Sequence, residues 1–298
     1  MPPDESVLVH KQRDAASYDA VASEFDYFAE RFSGVMADKM IALGQLKPTS
    51  RVLDIGTGTG LVALRAAVLT RAEVVGIDHS PGALEQARAQ ARQRGIGNLS
   101  FRRMDAERLE FADSSFDVVF SLYALLHLPA PSIAIREMYR ALSPGGRVVI
   151  GVGGAPSLFS RSAVVEGAKR LAESAAAARG RLLTAPAFLQ RLMQEHRLLP
   201  VSDYQLHRRL PVTRLLREAG FRNVRRSWLG RREELDAEEF WRLQVTFDSS
   251  ARARLQQASP REIAVLQQDF LNRCRKTQEK HGALVYRHAA AFYVGTRV

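Results

Sequence analysis

The chain has 298 residues, 46% hydrophobic and 25% charged, which is enough to bury a core unaided, and its lone cysteine, Cys274, excludes an internal disulfide. The net charge is +11, and residues 151–234 carry 16 Arg and Lys against 7 Asp and Glu, so most of the excess sits in one segment and leaves open a solvated basic face, an anionic substrate or an anionic partner. No apolar run approaches the roughly 20 residues of a membrane span, and MPPDESVLVHKQRD lacks the pattern of a signal peptide, so a reduced, cytoplasmic setting is expected.

From the N-terminus, Val21, Phe25, Phe28 and Phe32, then Val35, Met36, Met40 and Leu43, recur at helical spacing over residues 17–46. Gly34 is expected to split this stretch into two helices. Lys47-Pro48 should end it, because proline lacks the amide that a helix needs. Short apolar runs then alternate with helical patterns. Strands are expected at RVLDI (51–55), EVVGID (73–78), LSFRRM (99–104), FDVVFSL (116–122) and RVVIGV (147–152). Helices are expected between them at 61–70, 81–95 and 131–142. Such βα repetition implies an α/β fold, a doubly wound and mostly parallel sheet with helices on both faces. Ligands bind in such sheets along the C-terminal edge of the strands.

Past Val152 the rhythm changes. Residues 153–209 show no expected strand, only helical patterns such as SRSAVVEGAKRLAESAAAA and PAFLQRLMQEH. PVTRLLREAGF (211–221) reads as a helix closed by Gly220, and NVRRSWLG (223–230) as a strand. Residues 236–280 read as helical, and 283–298 as a closing strand. The chain therefore divides into N-terminal helices (1–47), a core (48–152), a helical insertion (153–209) and a completion of the sheet (210–298) with a second insertion at 236–280. The helical segments are expected to cover the ligand edge.

The stretch RVLDIGTGTG (51–60) carries the first chemical signal. An acid, Asp54, precedes Gly56, Gly58 and Gly60, with Thr57 between the first two. Glycines in a strand-to-helix turn let a ligand approach the backbone. A dinucleotide fingerprint would read GxGxxG and hold a pyrophosphate on the helix N-terminus. Here the spacing is GxGxG, and a carboxylate beside it would repel a pyrophosphate. A ligand with a cationic end fits better, such as the ammonium and sulfonium of S-adenosylmethionine (SAM). Asp78 ends the second strand 24 residues after Asp54, where an acid can accept hydrogen bonds from ribose hydroxyls. Ser80 then caps the next helix, with Pro81 at its first position. Met104, Asp105 and Ala106 end the third strand, offering an acid for an adenine amino group and apolar neighbours for the ring. Taken singly, Asp78 reads more readily as a helix cap, and Asp105 equally as a cap or a ligand group.

In this order the chain resembles the class I SAM-dependent methyltransferases. The matching residues are VLDIGTGTG (52–60), VVGIDHSPGALEQAR (74–88), FRRMDAERLEFADSSFDVVFSLYALLHL (101–128) and EMYRALSPGGRVVI (137–150). The group it most resembles is the ubiquinone/menaquinone-biosynthesis-like enzymes; the likeness is good over about residues 15–152 and extends over the remaining half only in sheet order. The resemblance implies a seven-stranded sheet whose last strand is antiparallel. It implies that Asp54, Gly56, Thr57, Gly58 and Gly60 surround the methionine part of SAM. It places Asp78 on the ribose, Met104, Asp105 and Ala106 on the adenine, and Ser121 at the methionine end. His79 stands where the family often has an apolar residue, and a flat imidazole can pack there too.

Methyl transfer is an in-line displacement, so positioning carries much of the catalysis. His127, a few residues past the fourth strand, is the first candidate base, because imidazole titrates near neutral pH. Tyr18 in the N-terminal helices is the second, as an orienting phenol, and Tyr123 is a similar case. Each could instead be a packing residue. His207 with Arg208 and Arg209 could meet an acidic substrate. No HxxxH or CxxC spacing argues for a metal. The expected function is methylation of O, N or C in a small molecule, aromatic or anionic, in a biosynthetic or secondary-metabolite setting. A homodimer is left open. An RNA methyltransferase is the first alternative, prompted by the basic charge but without an NPPY-like tetrapeptide. A non-catalytic SAM-binding regulator is the second.

Overall fold

The computed structural model describes residues 5–19, 21–153, 168, 182–184, 187–198, 210–280 and 283–298. The chain divides into two compact units, residues 1–154, 205–229 and 290–298, and residues 155–204 and 230–289.

In chain order, α1 (Glu5–Asp19) and α2 (Ala22–Phe28) lead through a π-helical turn (Ala29–Ser33) into α3 (Gly34–Gly44). Gly34 does not divide this stretch as expected. Its φ of −53° is helical, and the wider π turn before it takes up the change of phase. Next come β1 (Val52–Ile55), α4 (Leu61–Ala67), β2 (Val74–Asp78), α5 (Pro81–Gln93), β3 (Leu99–Arg103), β4 (Phe116–Leu122), α6 (Pro131–Ala141) and β5 (Leu142–Gly153). The remainder holds β6 (Leu182–Thr184), α7 (Ala187–Glu195), α8 (Val212–Glu218), β7 (Arg222–Leu235), α9 (Ala237–Phe247), α10 (Ser249–Leu255), α11 (Pro260–Lys280) and β8 (Ala283–Thr296).

The strand order is β3-β2-β1-β4-β5-β8, with β7 also paired to β8. β1 to β5 are parallel, and β8 runs antiparallel to β5 from Arg147↔Thr296 to Gly153↔Ala290. These seven strands are the sheet expected from the sequence. β6 is an addition where no strand was expected, pairing parallel with Ala283–Val285. Three residues are too few to display the alternation that marks a strand in a sequence. Its partner, not its own pattern, defines it.

Period-two alternation gives the sheet two faces. Leu53, Ile55, Val75, Ile77 and Val119 pack with Ile135 and Met138 of α6 and Leu216 of α8. Val52, Val74, Val118 and Phe120 pack the other way, with Met36 and Met40 of α3, Leu64 of α4 and Leu84 of α5. A fully buried aliphatic of this kind contributes about 1.5–3 kcal/mol. At the chain's end the Arg297 guanidinium donates to the carbonyls of Tyr139 (3.1 Å), Arg140 (2.8 Å) and Leu142. It thereby satisfies acceptors left open at the C-terminus of α6.

In the second unit, Phe270 of α11 meets Phe188, Phe240 and Trp241 at centroid distances of 5.1, 5.7 and 5.2 Å. Cys274 on the same helix is fully buried, and burial pushes its thiol up to about 12. It is a packing residue and not a reactive thiol. Of the pattern SRSAVVEGAKRLAESAAAA only Ala168 is described, and it is helical. His207, Arg208 and Arg209 lie outside the described residues.

Candidate active site

The turn between β1 and α4 holds the three glycines in left-handed backbone, with φ of 68°, 55° and 91° at Gly56, Gly58 and Gly60. A Cβ on Gly56 would overlap the side chain of Ala124, so the segment after β4 rests directly on this turn. A Cβ on Gly58 would meet nothing nearer than Phe25, at 3.9 Å. Gly58 therefore keeps open a space that a side chain would fill. Gly56→Ala combines a left-handed φ, about 1–2 kcal/mol, with overpacking, about 1–3 kcal/mol. The expected loss of unfolding free energy is about 2–5 kcal/mol, measured by urea denaturation. An unchanged midpoint would mean that the two segments do not pack as described.

Two carboxyl groups flank the turn. Asp54 lies on the α4 side of β1 and is buried, 2% exposed. It accepts hydrogen bonds from the Thr57 hydroxyl (2.7 Å) and the Ala63 amide (3.1 Å). Burial pushes its carboxyl up to about 7, against those two hydrogen bonds and with the help of the nearby Asp78 charge. Asp78, at the end of β2, accepts from the amides of Gly58 (2.8 Å) and Ser80 (3.0 Å). Its carboxyl is also raised by burial, with the amides opposing. Among the described residues neither acid forms an ion pair. Two desolvated carboxyls beside a glycine turn present a site for a cation, or for hydroxyl donors.

The N-terminal helices form one wall of the same cavity. Lys11, Ala15, Tyr18, Ala22, Phe25 and Ala29, at spacings of three and four, all line it. Polar contacts hold this wall in place. The Lys11 ammonium sits between Asp105 (2.7 Å) and Glu107 (2.5 Å). Asp19 accepts from the Ser80 hydroxyl (2.5 Å) and the Gly82 amide (2.8 Å), at the start of α5. Ser80 itself accepts from the Ala83 amide (3.0 Å), the cap expected from the sequence. Tyr18 and His127 meet across the cavity. The hydroxyl and Nε2 are 3.4 Å apart, and the rings stand edge-on at 79°.

Ten of the expected site residues line this one cavity, which lies wholly within the first unit: Tyr18, Asp54, Gly56, Thr57, Gly58, Asp78, His79, Met104, Ala106 and His127. Three lie off its wall. Gly60 instead lets α4 approach Phe101 and Ala87, 3.1 and 3.3 Å from where a Cβ would stand. Ser121 is fully buried, and among the described residues its Oγ has no hydrogen-bond partner. Asp105 is engaged by Lys11 and by the Glu107 amide (2.9 Å), and the His79 Nε2 is 3.7 Å away. Burial alone would raise the Asp105 carboxyl, but these neighbours hold it well below the usual carboxylate range. Sequence reasoning missed Lys11, Phe25 and Asp19. Phe25 reads in the sequence only as part of the apolar stripe, Lys11 continues the spacing of the cavity wall one turn before Ala15, and Asp19 lies off that stripe with no local signal.

Three comparisons bear on identity. Residues 46–184 match the family model described as "Methyltransferase domain". The chain is 34% identical over 141 residues to aklanonic acid methyltransferase DauC of Streptomyces sp. (strain C5), a match covering 47% of this chain and 64% of that protein. It is 33% identical over 146 residues to the ubiquinone/menaquinone biosynthesis C-methyltransferase UbiE of Ectopseudomonas mendocina, covering 47% and 57%. The chain thus spans about 60% of the length of these two curated relatives. The crystal structure of the YcgJ protein from Bacillus subtilis superposes with a TM-score of 0.55 at 19% identity, over 88% of this chain and 97% of that one. It shares the fold. The glycine turn, the sheet order and the matched residues agree: over residues 46–184 this chain is similar to the methyltransferase-domain family.

Proposed function

We propose that the chain transfers the methyl group of SAM to a small-molecule acceptor, and that the cavity of the first unit is where it does so. The observation that carries this reading is the gathering of Asp54, Gly58, Asp78, Met104, Tyr18 and His127 on one wall-to-wall cavity. Asp54 and the turn would hold the amino-acid end of SAM, Asp78 the ribose, and Met104 with Ala106 the adenine. The fit rests on the two buried, cation-seeking carboxyls and on the open space over Gly58. Bound SAM supplies a methyl group activated by its sulfonium.

His127 would take the proton from an acceptor hydroxyl, and Tyr18, 3.4 Å away, would fix the imidazole and the acceptor. The N-terminal helices would exclude water from the cavity. The relatives' names describe methylation of aklanonic acid and a step in ubiquinone/menaquinone biosynthesis. These support a small acceptor over a nucleic acid. The test is incubation with methyl-labelled SAM and either a protein-free metabolite extract or bulk RNA. Label is expected in the small-molecule fraction. Label in the RNA instead contradicts the proposal.

Asp54 makes the binding of SAM depend on pH. In the free protein its carboxyl is raised from 3.8 to about 7, so the folded chain holds a proton that the unfolded chain releases. Its contribution to stability is full below pH 3.8 and is lost as pH rises through about 7. A cation binds the ionised form. SAM affinity is therefore expected to fall as pH drops below about 7, approaching tenfold per unit. Calorimetry in buffers of different ionisation heat should show proton release on binding. A flat pH profile, with no release, would remove Asp54 from the cationic end.

A further inference from the structure

Tyr123 joins a strained backbone to a position on the cavity wall. Among the described residues, five that are not glycine have a left-handed φ, and Tyr123, at 61°, is the only one of them lining the cavity. That conformation costs free energy for any residue with a Cβ, and a phenol ring has no local hydrogen bond to offset it as Asn or Asp has. Its neighbours impose it. The Tyr123 amide donates to the Gly151 carbonyl (2.7 Å) at the end of β5. The next residue, Ala124, fills the space left by the missing Cβ of Gly56, and the 3₁₀ turn Leu125–His127 follows at once. Glycine or asparagine would take this φ with less strain. Strain kept at a site wall points to what the side chain does there.

We infer that the Tyr123 ring is the surface on which a planar, uncharged acceptor lies, with its hydroxyl directed to the Tyr18–His127 pair. This deepens the methyltransferase reading and rests on it. The ring is braced from behind, packed against the cluster that holds Met36, Met40 and Phe120. Its neighbours on the wall, Leu122, Ala124 and Leu128, are apolar. Lys11 is the only lysine or arginine among the described cavity residues, and Asp105 and Glu107 engage its ammonium. Among the described residues no lysine or arginine on the wall is left for a carboxylate or phosphate. A planar ligand would stack on the ring with an offset or edge-on geometry.

The probe is 1-naphthol, titrated into protein saturated with S-adenosylhomocysteine (SAH), with 1-hydroxy-2-naphthoate as its charged counterpart. Wild type is expected to bind 1-naphthol, and more tightly than the naphthoate. Tyr123→Phe keeps the ring and should keep the affinity. Tyr123→Gly and Tyr123→Asn should lose about tenfold or more, with SAH affinity unchanged. Equal 1-naphthol affinity in wild type and Tyr123→Gly overturns the inference, as does tighter binding of the naphthoate or no binding of the probe. A fall in both Tm and SAH affinity in the Gly and Asn variants also overturns it, since the ring is then core. Failure of wild type to bind SAH is a different result, and defeats the methyltransferase reading itself.

Discussion

His127→Ala is expected to lower methyl transfer to a hydroxyl acceptor by about 10²- to 10⁴-fold, the range of a lost general base. SAM affinity should stay within a factor of about two, because the proposal gives the cofactor to the two carboxyls and the turn, and His127 to the acceptor. The split is what matters. Tyr18→Phe, which keeps the ring beside His127 and removes the hydroxyl 3.4 Å from Nε2, should give a smaller loss in the same direction. Single-turnover rates with labelled SAM, measured beside SAM binding, separate the two quantities. Full turnover in His127→Ala returns the residue to packing in the 3₁₀ turn. A parallel loss of SAM affinity would make it a structural support of the cavity.

The second large effect is on the cofactor. Asp78→Ala should weaken SAM binding by about 1–3 kcal/mol, the worth of hydrogen bonds to a charged acceptor. The same carboxyl also accepts from the amides of Gly58 and Ser80, so its removal leaves two donors unsatisfied and loosens the turn. Asp78→Asn separates the two roles. It keeps the side-chain shape and one acceptor, so thermal stability should recover more than SAM affinity does. Unchanged calorimetric affinity in both variants would remove Asp78 from the ribose.

The core of the fold was legible because its signals are local. Short apolar runs such as VVGID and FDVVFSL, alternating with helical patterns, gave β1 to β5 and the helices between them. The place of Asp54 and Asp78 on the cavity wall was legible because each lies at or near the C-terminal end of a parallel strand, where position follows from topology. What escaped depends on distant partners. Asp105 was expected to face adenine, yet Lys11, 94 residues earlier, engages it. Ser121 was expected on the cavity wall, but its side chain is fully enclosed at the end of β4. Gly34 was expected to break a helix, and the π turn absorbed the change instead. β6 had no pattern of its own, being three residues long. Tyr123 was noticed for its ring, but its left-handed backbone follows from Ala124 resting on Gly56, a contact no local pattern records.

The most direct measurement is a crystal structure of the chain grown with SAH. The ribose hydroxyls are expected on the Asp78 carboxylate, the amino-acid end at the turn of Gly58 and Asp54, and the sulfur facing Tyr18 and His127. A cavity left empty at saturating ligand, or SAH seated elsewhere on the chain, would contradict the role given to these two carboxyls.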